Sequence, residues 1–299
     1  MKVFITGGLG FVGSQLTDHF LKNGYSVVAT GTRKKPTMPF HPNFSYITAD
    51  TRQSGVWQTE VADADIVINL AGRSIFHYWT KGYKQKIYDS RVLTTRNVMT
   101  ALSNEKPVTL LSVSAVGIYG DRQNDILTET EPPATDFLAQ VCVDWEKAVT
   151  DGGGSQLRRI IIRSGIVLSA QGGAFPKMTM PLAGGPLGNG NHWFPWIHVD
   201  DYVNAVAFLI KQTDAEGVFN FCSPLPVRNR IFSKYLGEVM NRPNLLRVPG
   251  FVIKLVLREF GETLLSSQRA HPDRLLRLGF KFQFTEAKRT LQDLTRNSR

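Results

Sequence analysis

Short apolar runs alternate with amphipathic stretches along the first half of the chain. The runs have the length of buried strands, and the stretches between them place hydrophobic residues at helical spacing. The clearest helical stretches cover residues 11–21 and 81–102. The predicted strands are Val3–Ile5, Tyr25–Thr30, Phe44–Thr48, Ala64–Gly72, Val108–Ser114 and Arg159–Leu168. This alternation predicts an α/β fold with a Rossmann-type doubly wound parallel sheet.

The pattern changes beyond Ser169, where glycine and aromatic residues accumulate between Gly184 and Trp196. Loops at the carboxyl edge of such a sheet are where a substrate is bound. Helical spacing returns at Ile231–Met240 and Val252–Ser266. We therefore predict a Rossmann domain over residues 1–168, to which a segment near 196–222 returns. A smaller, mixed substrate domain is predicted over residues 169–299, with a distinct tail at 250–299.

Composition and cysteine usage indicate a globular cytoplasmic protein. The 299 residues are 42% hydrophobic, enough for one large domain or two unequal ones. A strand that begins at residue 2 leads us to expect no signal peptide. No transmembrane segment is expected, since the apolar run Phe251–Leu257 is short and contains Lys254. Cys142 and Cys222 have no metal or redox spacing, which favours a reducing compartment and no bound metal.

The formal net charge of +10 raises nucleic acid and membrane surfaces as candidate partners. The excess is concentrated from Arg228 onward, where fifteen Lys and Arg residues face six Asp and Glu residues. No pattern of stacking aromatic residues or helix-turn-helix motif accompanies this charge. The sequence therefore favours a solvated basic surface over nucleic-acid binding, and predicts no membrane partner.

Glycines at three spaced positions separate the first strand from the first helix. Gly7 can adopt the backbone angles of the turn, Gly10 allows a pyrophosphate to approach the main chain, and Gly13 allows close helix packing. The helix N-terminus then offers N–H groups to phosphate. In this strand–turn–helix context, the motif predicts dinucleotide binding.

The end of the second strand indicates which dinucleotide is preferred. A site for NAD places an acidic residue there, on the ribose 2′-hydroxyl. Arg33 and Lys34 stand there instead, which suits the 2′-phosphate of NADP(H). Asp50, after the third strand, is predicted near the adenine. Small residues at the end of the fourth strand, Ala71 and Gly72, would allow the cofactor close to the backbone.

Several motifs together resemble the extended short-chain dehydrogenase/reductase superfamily. They are Gly7-Gly-Leu-Gly-Phe-Val-Gly13, Asn69-Leu-Ala-Gly72, Ser114-Ala-Val-Gly-Ile-Tyr-Gly120 and Trp196-Ile-His-Val-Asp-Asp201. Three further stretches resemble an atypical "epimerase family" branch that carries a C-terminal domain of unknown function. These stretches are Phe137–Glu146, Arg163–Leu168 with Gly172-Gly173, and Gln268–Phe282.

The resemblance implies a Rossmann fold that binds NADP(H), with Arg33 on the 2′-phosphate and a homodimer as one expected assembly. The residues implied around the pyrophosphate are Gly7, Leu9, Gly10, Phe11, Val12 and Gly13, and those lining the cofactor groove are Leu70, Ala71 and Gly72. Arg91, Trp193 and Trp196 are candidates for substrate contact.

The chain departs from the superfamily at its catalytic positions. The family's Tyr and Lys precede a helix glutamate by eight and four residues. If Glu146 is that glutamate, Leu138 and Cys142 hold those positions. The position of the family's catalytic Ser or Thr is held by Ala115, with Ser114 displaced by one residue.

Other groups could carry proton transfer, and Ser114 and Tyr119 are the catalytic candidates. His192 and His198 are weaker alternatives, for which a structural role is favoured. Two functions stay open: an NADP(H)-dependent oxidoreductase or epimerase-like enzyme acting on a small polar, sugar-like molecule, and a silent sensor of NADPH and NADP+. Loss of the Tyr–Lys pair favours the sensor, and the aromatic loop near the cofactor favours the enzyme.

Overall fold

A twisted sheet of seven parallel strands forms the centre of the molecule. The computed structural model describes residues 1–36, 38, 40–102, 106–180, 184–242 and 248–296. The strands are β1 (Lys2–Thr6), β2 (Ser26–Gly31), β3 (Phe44–Thr48), β4 (Ile66–Asn69), β5 (Val108–Ala115), β6 (Ile126–Leu127), β7 (Leu157–Ser164), β8 (Ile166–Ser169), β9 (Gly172–Gly173), β10 (Trp193–Phe194), β11 (Trp196–His198), β12 (Gly217–Phe221), β13 (Val227–Arg228) and β14 (Arg269–Ala270).

Helices cover both faces of this sheet and build most of the C-terminal region. They are α1 (Phe11–Lys22), α2 (Trp57–Ala62), α3 (Lys81–Ala101), α4 (Phe137–Thr150), α5 (Phe175–Met178), α6 (Val199–Lys211), α7 (Asn229–Val239), α8 (Gly250–Leu257), α9 (Glu259–Leu265), α10 (Asp273–Arg277) and α11 (Ala287–Arg296). A 3-10 helix at Val116–Tyr119 follows β5. No helix in the described part of the chain is long and apolar enough to cross a membrane.

The strands of the central sheet lie in the order β3-β2-β1-β4-β5-β7-β12, and every neighbouring pair is parallel. The order reverses between β1 and β4, which is where doubly wound folds bind their ligands. Alternate residues of β1 point to opposite faces. Val3 and Ile5 join the core beneath α1 and α6, and Phe4 joins the core that contains Trp57. The predicted Rossmann-type fold is thus confirmed.

The predicted strand Arg159–Leu168 is wrong as a single element. It consists of β7, in the central sheet, and β8, which pairs with β11 in a second sheet. Gly165 lies at the break, where an added Cβ would approach the carbonyl oxygen of Pro195 to 2.6 Å. The N–H of Ile166 donates to that same carbonyl, at 2.7 Å. The chain therefore changes sheets at a point that only glycine fits.

The predicted helix Val252–Ser266 is likewise two helices, α8 and α9. Arg258 separates them with a φ of +50°, a left-handed conformation that ends a helix. The helices pack closely, since a Cβ on Gly261 would lie 2.5 Å from the carbonyl oxygen of Ile253. The break turns α9 back against α8, where Phe260 enters the core around Trp79.

The C-terminal region is mixed, as predicted, with small sheets and short helices around its own core. That core contains Leu168, Phe175, Trp196, Phe232 and Leu291. β8 runs across the predicted boundary at residue 168, and β12 forms one edge of the central sheet. The division into two domains stays a prediction.

Candidate functional site

A turn built from glycines joins β1 to α1. Gly7 has a φ of +66°, which glycine adopts without the steric cost of a side chain. The N–H of Gly10 donates to the carbonyl oxygen of Gly7 at 2.8 Å. A Cβ on Gly13 would lie 2.2 Å from that oxygen and 2.8 Å from the Cα of Gly8. The approach of α1 to the turn therefore requires glycine at position 13.

The N-terminus of α1 faces out of this turn. Gly10 precedes the helix in an extended conformation, and among the described residues no side chain caps the helix there. Such a terminus carries unpaired N–H groups and a partial positive charge, which together bind phosphate. Leu9 is buried, and Phe11 and Val12 pack partly against the core. Their side chains are thus taken up by the protein, and their backbone contact with a cofactor stays a prediction.

Arg33 lies just beyond the end of β2. Its Nη1 donates to the carbonyl oxygen of Leu9 at 3.4 Å, which ties it to the glycine turn. Its own carbonyl oxygen accepts hydrogen bonds from the hydroxyls of Tyr46, at 3.1 Å, and Thr48, at 2.9 Å. Arg33 and Lys34 are both exposed. The predicted pair of basic residues thus stands beside the turn with its charges accessible.

Asp50 is engaged by a neighbour on its own loop. Its carboxylate pairs with the guanidinium of Arg52 through both oxygens, which holds the pKa of Asp50 below its usual value. An adenine contact from this carboxylate would compete with the ion pair. The predicted role of Asp50 stays a prediction.

The residues after β4 form the other side of the groove. Thr6 Oγ1 accepts hydrogen bonds from the N–H groups of Leu70, at 3.0 Å, and Ala71, at 3.1 Å. The same hydroxyl donates to Asn69 at 2.7 Å. A Cβ on Gly7 would be 3.4 Å from the Cα of Ala71. The two predicted segments are therefore adjacent across the switch point of the sheet.

Arg91 lies at the end of this segment. A Cβ on Gly72 would be 3.2 Å from its Cζ. Its guanidinium stacks 5.2 Å from the ring of Trp145 and donates to the carbonyl oxygen of Ile87 at 3.1 Å. Burial lowers the pKa of Arg91. The structure thus places Arg91 beside the predicted groove, on the inner face of α3.

Ser114 and Tyr119 belong to one buried polar network. Ser114 Oγ donates to Glu146 at 2.7 Å, and Arg163 pairs with both carboxylate oxygens of Glu146 at 2.9 Å. Arg163 also donates to the Tyr119 hydroxyl at 3.0 Å, and that hydroxyl donates to Asn220 at 2.8 Å. Tyr119 is 0% exposed, and burial raises its pKa to about 12. This geometry favours a structural role for Tyr119, and catalysis by Ser114 or Tyr119 stays a prediction.

The positions of the missing Tyr–Lys pair lie on the first turns of α4. Leu138 packs partly into the hydrophobic cluster around Trp79. Cys142 is 4% exposed, and burial raises the pKa of its thiol to about 11. The thiol is therefore protonated and enclosed at neutral pH. Neither side chain reproduces the chemistry of the residue it replaces.

The two tryptophans predicted to contact substrate lie in different environments. The ring of Trp193 is half-buried between the guanidiniums of Arg228, at 4.8 Å, and Arg269, at 4.6 Å. Trp196 is 1% exposed within the C-terminal core. Its place in β11 directs it inward, so the structure does not place Trp196 where a substrate could reach it.

A cavity of about 490 Å³ lies between the central sheet and helices α8 and α9. Its walls include Trp79, from the loop after β4, and Asp121 and Asp136, from the segment after β5. We call it the junction cavity. Because β1, β4 and β5 are parallel strands of one sheet, the segments that follow them leave it at the same carboxyl edge. The junction cavity therefore lies at the same edge of the sheet as the glycine turn. No local sequence pattern indicates the junction cavity, since its walls come from segments far apart in the chain.

The two histidines are separated by the fold. His192 lines the junction cavity and is 8% exposed. His198 instead stacks on Phe284 at 3.7 Å, and its Nδ1 accepts from the N–H of Asp200 at the start of α6. The structural role expected for His198 thus has a physical basis as a helix cap.

Comparison with known proteins shows which family has this fold. The model of the NAD-dependent epimerase/dehydratase family matches residues 3–222. The chain belongs to this family. A domain of unknown function, DUF1731, matches residues 248–294 of this family member. The resemblance inferred from the sequence motifs is confirmed for both parts.

Similar proteins span the whole chain. An epimerase family protein of Staphylococcus saprophyticus is 38% identical, and the match covers 97% of this chain and 98% of that protein. The structure of human epimerase family protein SDR39U1 (isoform 2) with NADPH superposes with a TM-score of 0.87 at 27% identity, covering 99% and 100% of the two chains. A nucleoside-diphosphate sugar epimerase from Corynebacterium glutamicum has a TM-score of 0.78 at 29% identity, covering 98% of this chain and 58% of that one.

Proposed function

We propose that this protein binds NADP(H) and is an oxidoreductase or epimerase-like enzyme acting on a small polar, sugar-like substrate. The observation that carries the proposal is the position of Arg33 beside the glycine turn, 3.4 Å from the carbonyl oxygen of Leu9. At the end of β2 this places a cation, rather than an acid, next to the phosphate-binding helix terminus. NADPH bound to the human relative supports the same cofactor.

The residues present fit a dinucleotide. The close contact of Gly13 with Gly7 leaves the N–H groups of α1 directed at an open turn. These N–H groups would hold the pyrophosphate, and Arg33 with Lys34 would hold the 2′-phosphate. When bound, the nicotinamide supplies or accepts a hydride. Ala71 and Gly72 would line the groove for its backbone approach.

Removal of the Arg33 guanidinium tests the cofactor assignment. One charge-assisted contact contributes about 1.5–3 kcal/mol, so Arg33→Ala should weaken NADPH binding roughly 10- to 150-fold. NADH affinity should barely change, because NADH lacks the 2′-phosphate. The measurement is a fluorescence titration with each reduced nucleotide. Arg289→Ala is the matched control, since Arg289 pairs with Glu286 on the distant α11 region. Equal losses for both nucleotides would contradict the assignment.

Turnover requires a separate measurement. The NADPH complex is incubated with a panel of carbonyl compounds and sugar nucleotides while nicotinamide absorbance is followed. Oxidation that depends on one added compound supports the enzyme.

The alternative function is a sensor of NADPH and NADP+ without turnover. It is favoured by one observation, the replacement of the family's proton-transfer pair by an apolar Leu138 and a buried Cys142. Tight NADPH binding with no oxidation across the panel would favour the sensor.

A further inference from the structure

The junction cavity carries a surplus of negative charge. Its lining includes four carboxylates, Asp121, Asp136, Glu259 and Glu262, against the single ammonium of Lys254. Among the described residues, Glu259 is the one carboxylate of the four with an ion-pair partner, Lys84, at 2.5 Å. The electrostatic potential of the cavity therefore favours cations and disfavours phosphate or carboxylate groups.

Two of these carboxylates hold fixed positions with one oxygen each. Asp136 Oδ1 caps α4 by accepting the N–H groups of Leu138 and Ala139, at 3.0 and 3.1 Å. Asp121 Oδ1 accepts hydrogen bonds from two nearby backbone N–H groups, at 3.1 and 3.3 Å. Within the described ranges, no hydrogen bond engages the second oxygen of either group. Both residues are thus held in place while an acceptor remains available.

His192 provides an independent indication that a ligand belongs here. Its side chain is more than nine-tenths buried and lines the cavity. The part of the chain that the structure describes offers its ring no hydrogen bond. Burial lowers the pKa of His192 to about 4, so the ring is neutral and offers one donor and one acceptor. Since the ring lines the cavity, its nitrogens are available to a ligand or water there.

The aromatic walls complete the chemistry of the cavity. Trp79 and Phe137 both line it, and Lys84 already places its ammonium 4.3 Å from the ring of Phe137. Aromatic faces attract cations and pack against the apolar faces of sugar rings. Lys84 already engages Glu259 and the ring of Phe137. A ligand that supplies positive charge and hydrogen-bond donors, with a compact ring to pack on Trp79, would satisfy the remaining groups.

We propose that the junction cavity binds a small amine-bearing polyhydroxyl molecule, of the amino-sugar type, and excludes nucleoside diphosphate sugars. Its identification as the substrate rests on the proposed function, whereas binding in the cavity does not. The carboxylates receive the ammonium, His192 hydrogen-bonds a hydroxyl, and the aromatic walls pack against the ring. The name of the Corynebacterium relative would lead to the opposite expectation, a diphosphate in the site.

The test uses four probes of related shape and different charge: glucosamine, glucose, glucuronate and UDP-glucose. Their affinities for the NADPH-loaded full chain are measured by calorimetry, after NADPH binding has been measured alone. Glucosamine should bind at least tenfold more tightly than glucuronate or UDP-glucose, with glucose between them. Equal affinities, a preference for an anion, or no binding of any probe would overturn the inference.

Matched variants test whether the preference for glucosamine arises in the junction cavity. Glu262→Gln should reduce the preference for glucosamine over glucuronate severalfold, and Lys254→Gln should increase it. Glu286→Gln, on the exposed surface before α11, is the control and should leave the preference unchanged. An unchanged preference in the first two variants would overturn the assignment to this cavity.

Failure of the two proposals gives different results. Glucosamine binding to a protein that does not bind NADPH would overturn the proposed function and retain the cavity assignment. Tight NADPH binding without any preference for glucosamine would overturn the cavity assignment and retain the proposed function.

Discussion

Substitution of Gly13 by alanine tests whether the approach of α1 to β1 builds the cofactor site. The new Cβ would lie 2.2 Å from the carbonyl oxygen of Gly7 and 2.8 Å from the Cα of Gly8. Both neighbours are backbone atoms, so α1 itself has to move by about 1 Å to restore ordinary contact. Such overpacking costs about 1–3 kcal/mol. The better helix propensity of alanine offsets roughly 1 kcal/mol of it.

Stability alone is therefore a modest readout, and NADPH affinity is the decisive one. A shift of the helix terminus displaces the N–H groups predicted to hold the pyrophosphate. Loss of one such charged hydrogen bond costs about 1.5–3 kcal/mol, which is roughly 10- to 150-fold in affinity. We expect Gly13→Ala to weaken binding by at least this factor in a fluorescence titration, and to lower the urea midpoint of unfolding.

Gly82→Ala is the matched control. Gly82 lies in the first turn of α3, where an added Cβ has no atom within 4 Å. This variant should gain about 0.5–1 kcal/mol from helix propensity and keep its NADPH affinity. If Gly13→Ala behaved in the same way, more stable and with unchanged NADPH affinity, the structural account of the cofactor site would be refuted.

Three further predictions concern buried ionisable groups. Glu146→Ala leaves Arg163 buried without its carboxylate, so the free energy of unfolding should fall by about 3–5 kcal/mol in urea denaturation; a loss below 1 kcal/mol would contradict the paired geometry. Burial lowers the pKa of His192 from 6.5 to about 4, so the unfolded chain takes up a proton that the folded chain excludes. The stability that His192 contributes is complete above pH 6.5 and is lost as the pH falls toward 4. The difference from His192→Gln should therefore change by about 3 kcal/mol over that interval, and a constant difference would contradict it. Burial raises the thiol pKa of both Cys142 and Cys222. A chromogenic disulfide reagent at pH 8 should therefore label them only after the protein unfolds. Rapid labelling of the native protein would contradict this, because it would show that the thiols are accessible.

Local spacing was sufficient to predict the parts of the molecule that local backbone geometry determines. The strand–turn–helix around Gly7, Gly10 and Gly13 is one continuous segment, and its steric demands are visible in residue type alone. The preference for NADP(H) was also predicted from a single position, because Arg33 directly follows β2 where a site for NAD has an acidic residue. The parallel, doubly wound class of the central sheet followed from the alternation of strand and helix periods.

What the sequence did not predict depends on contacts between distant segments. Gly165 breaks a continuous apolar run because the carbonyl of Pro195 approaches it, and no periodicity reveals that contact. Trp196 lies in an aromatic loop by sequence, yet it is buried because β11 pairs with β8. The junction cavity combines Asp121 with Glu262, and only the folded chain brings these carboxylates to one site.

The proton-transfer machinery distinguishes the two proposed functions. An ordinary member of this superfamily needs a tyrosine whose pKa is lowered by a nearby cation. Here Tyr119 is fully buried with its pKa raised to about 12, and the charge of Arg163 is neutralised by Glu146. This geometry disfavours proton exchange between Tyr119 and a substrate in the groove. If the protein is an enzyme, Ser114 stays a candidate for proton transfer, and His192, which lines the junction cavity, is a further one. Turnover abolished by His192→Gln, with NADPH affinity unchanged, would support such an enzyme, whereas a sensor requires no proton donor there.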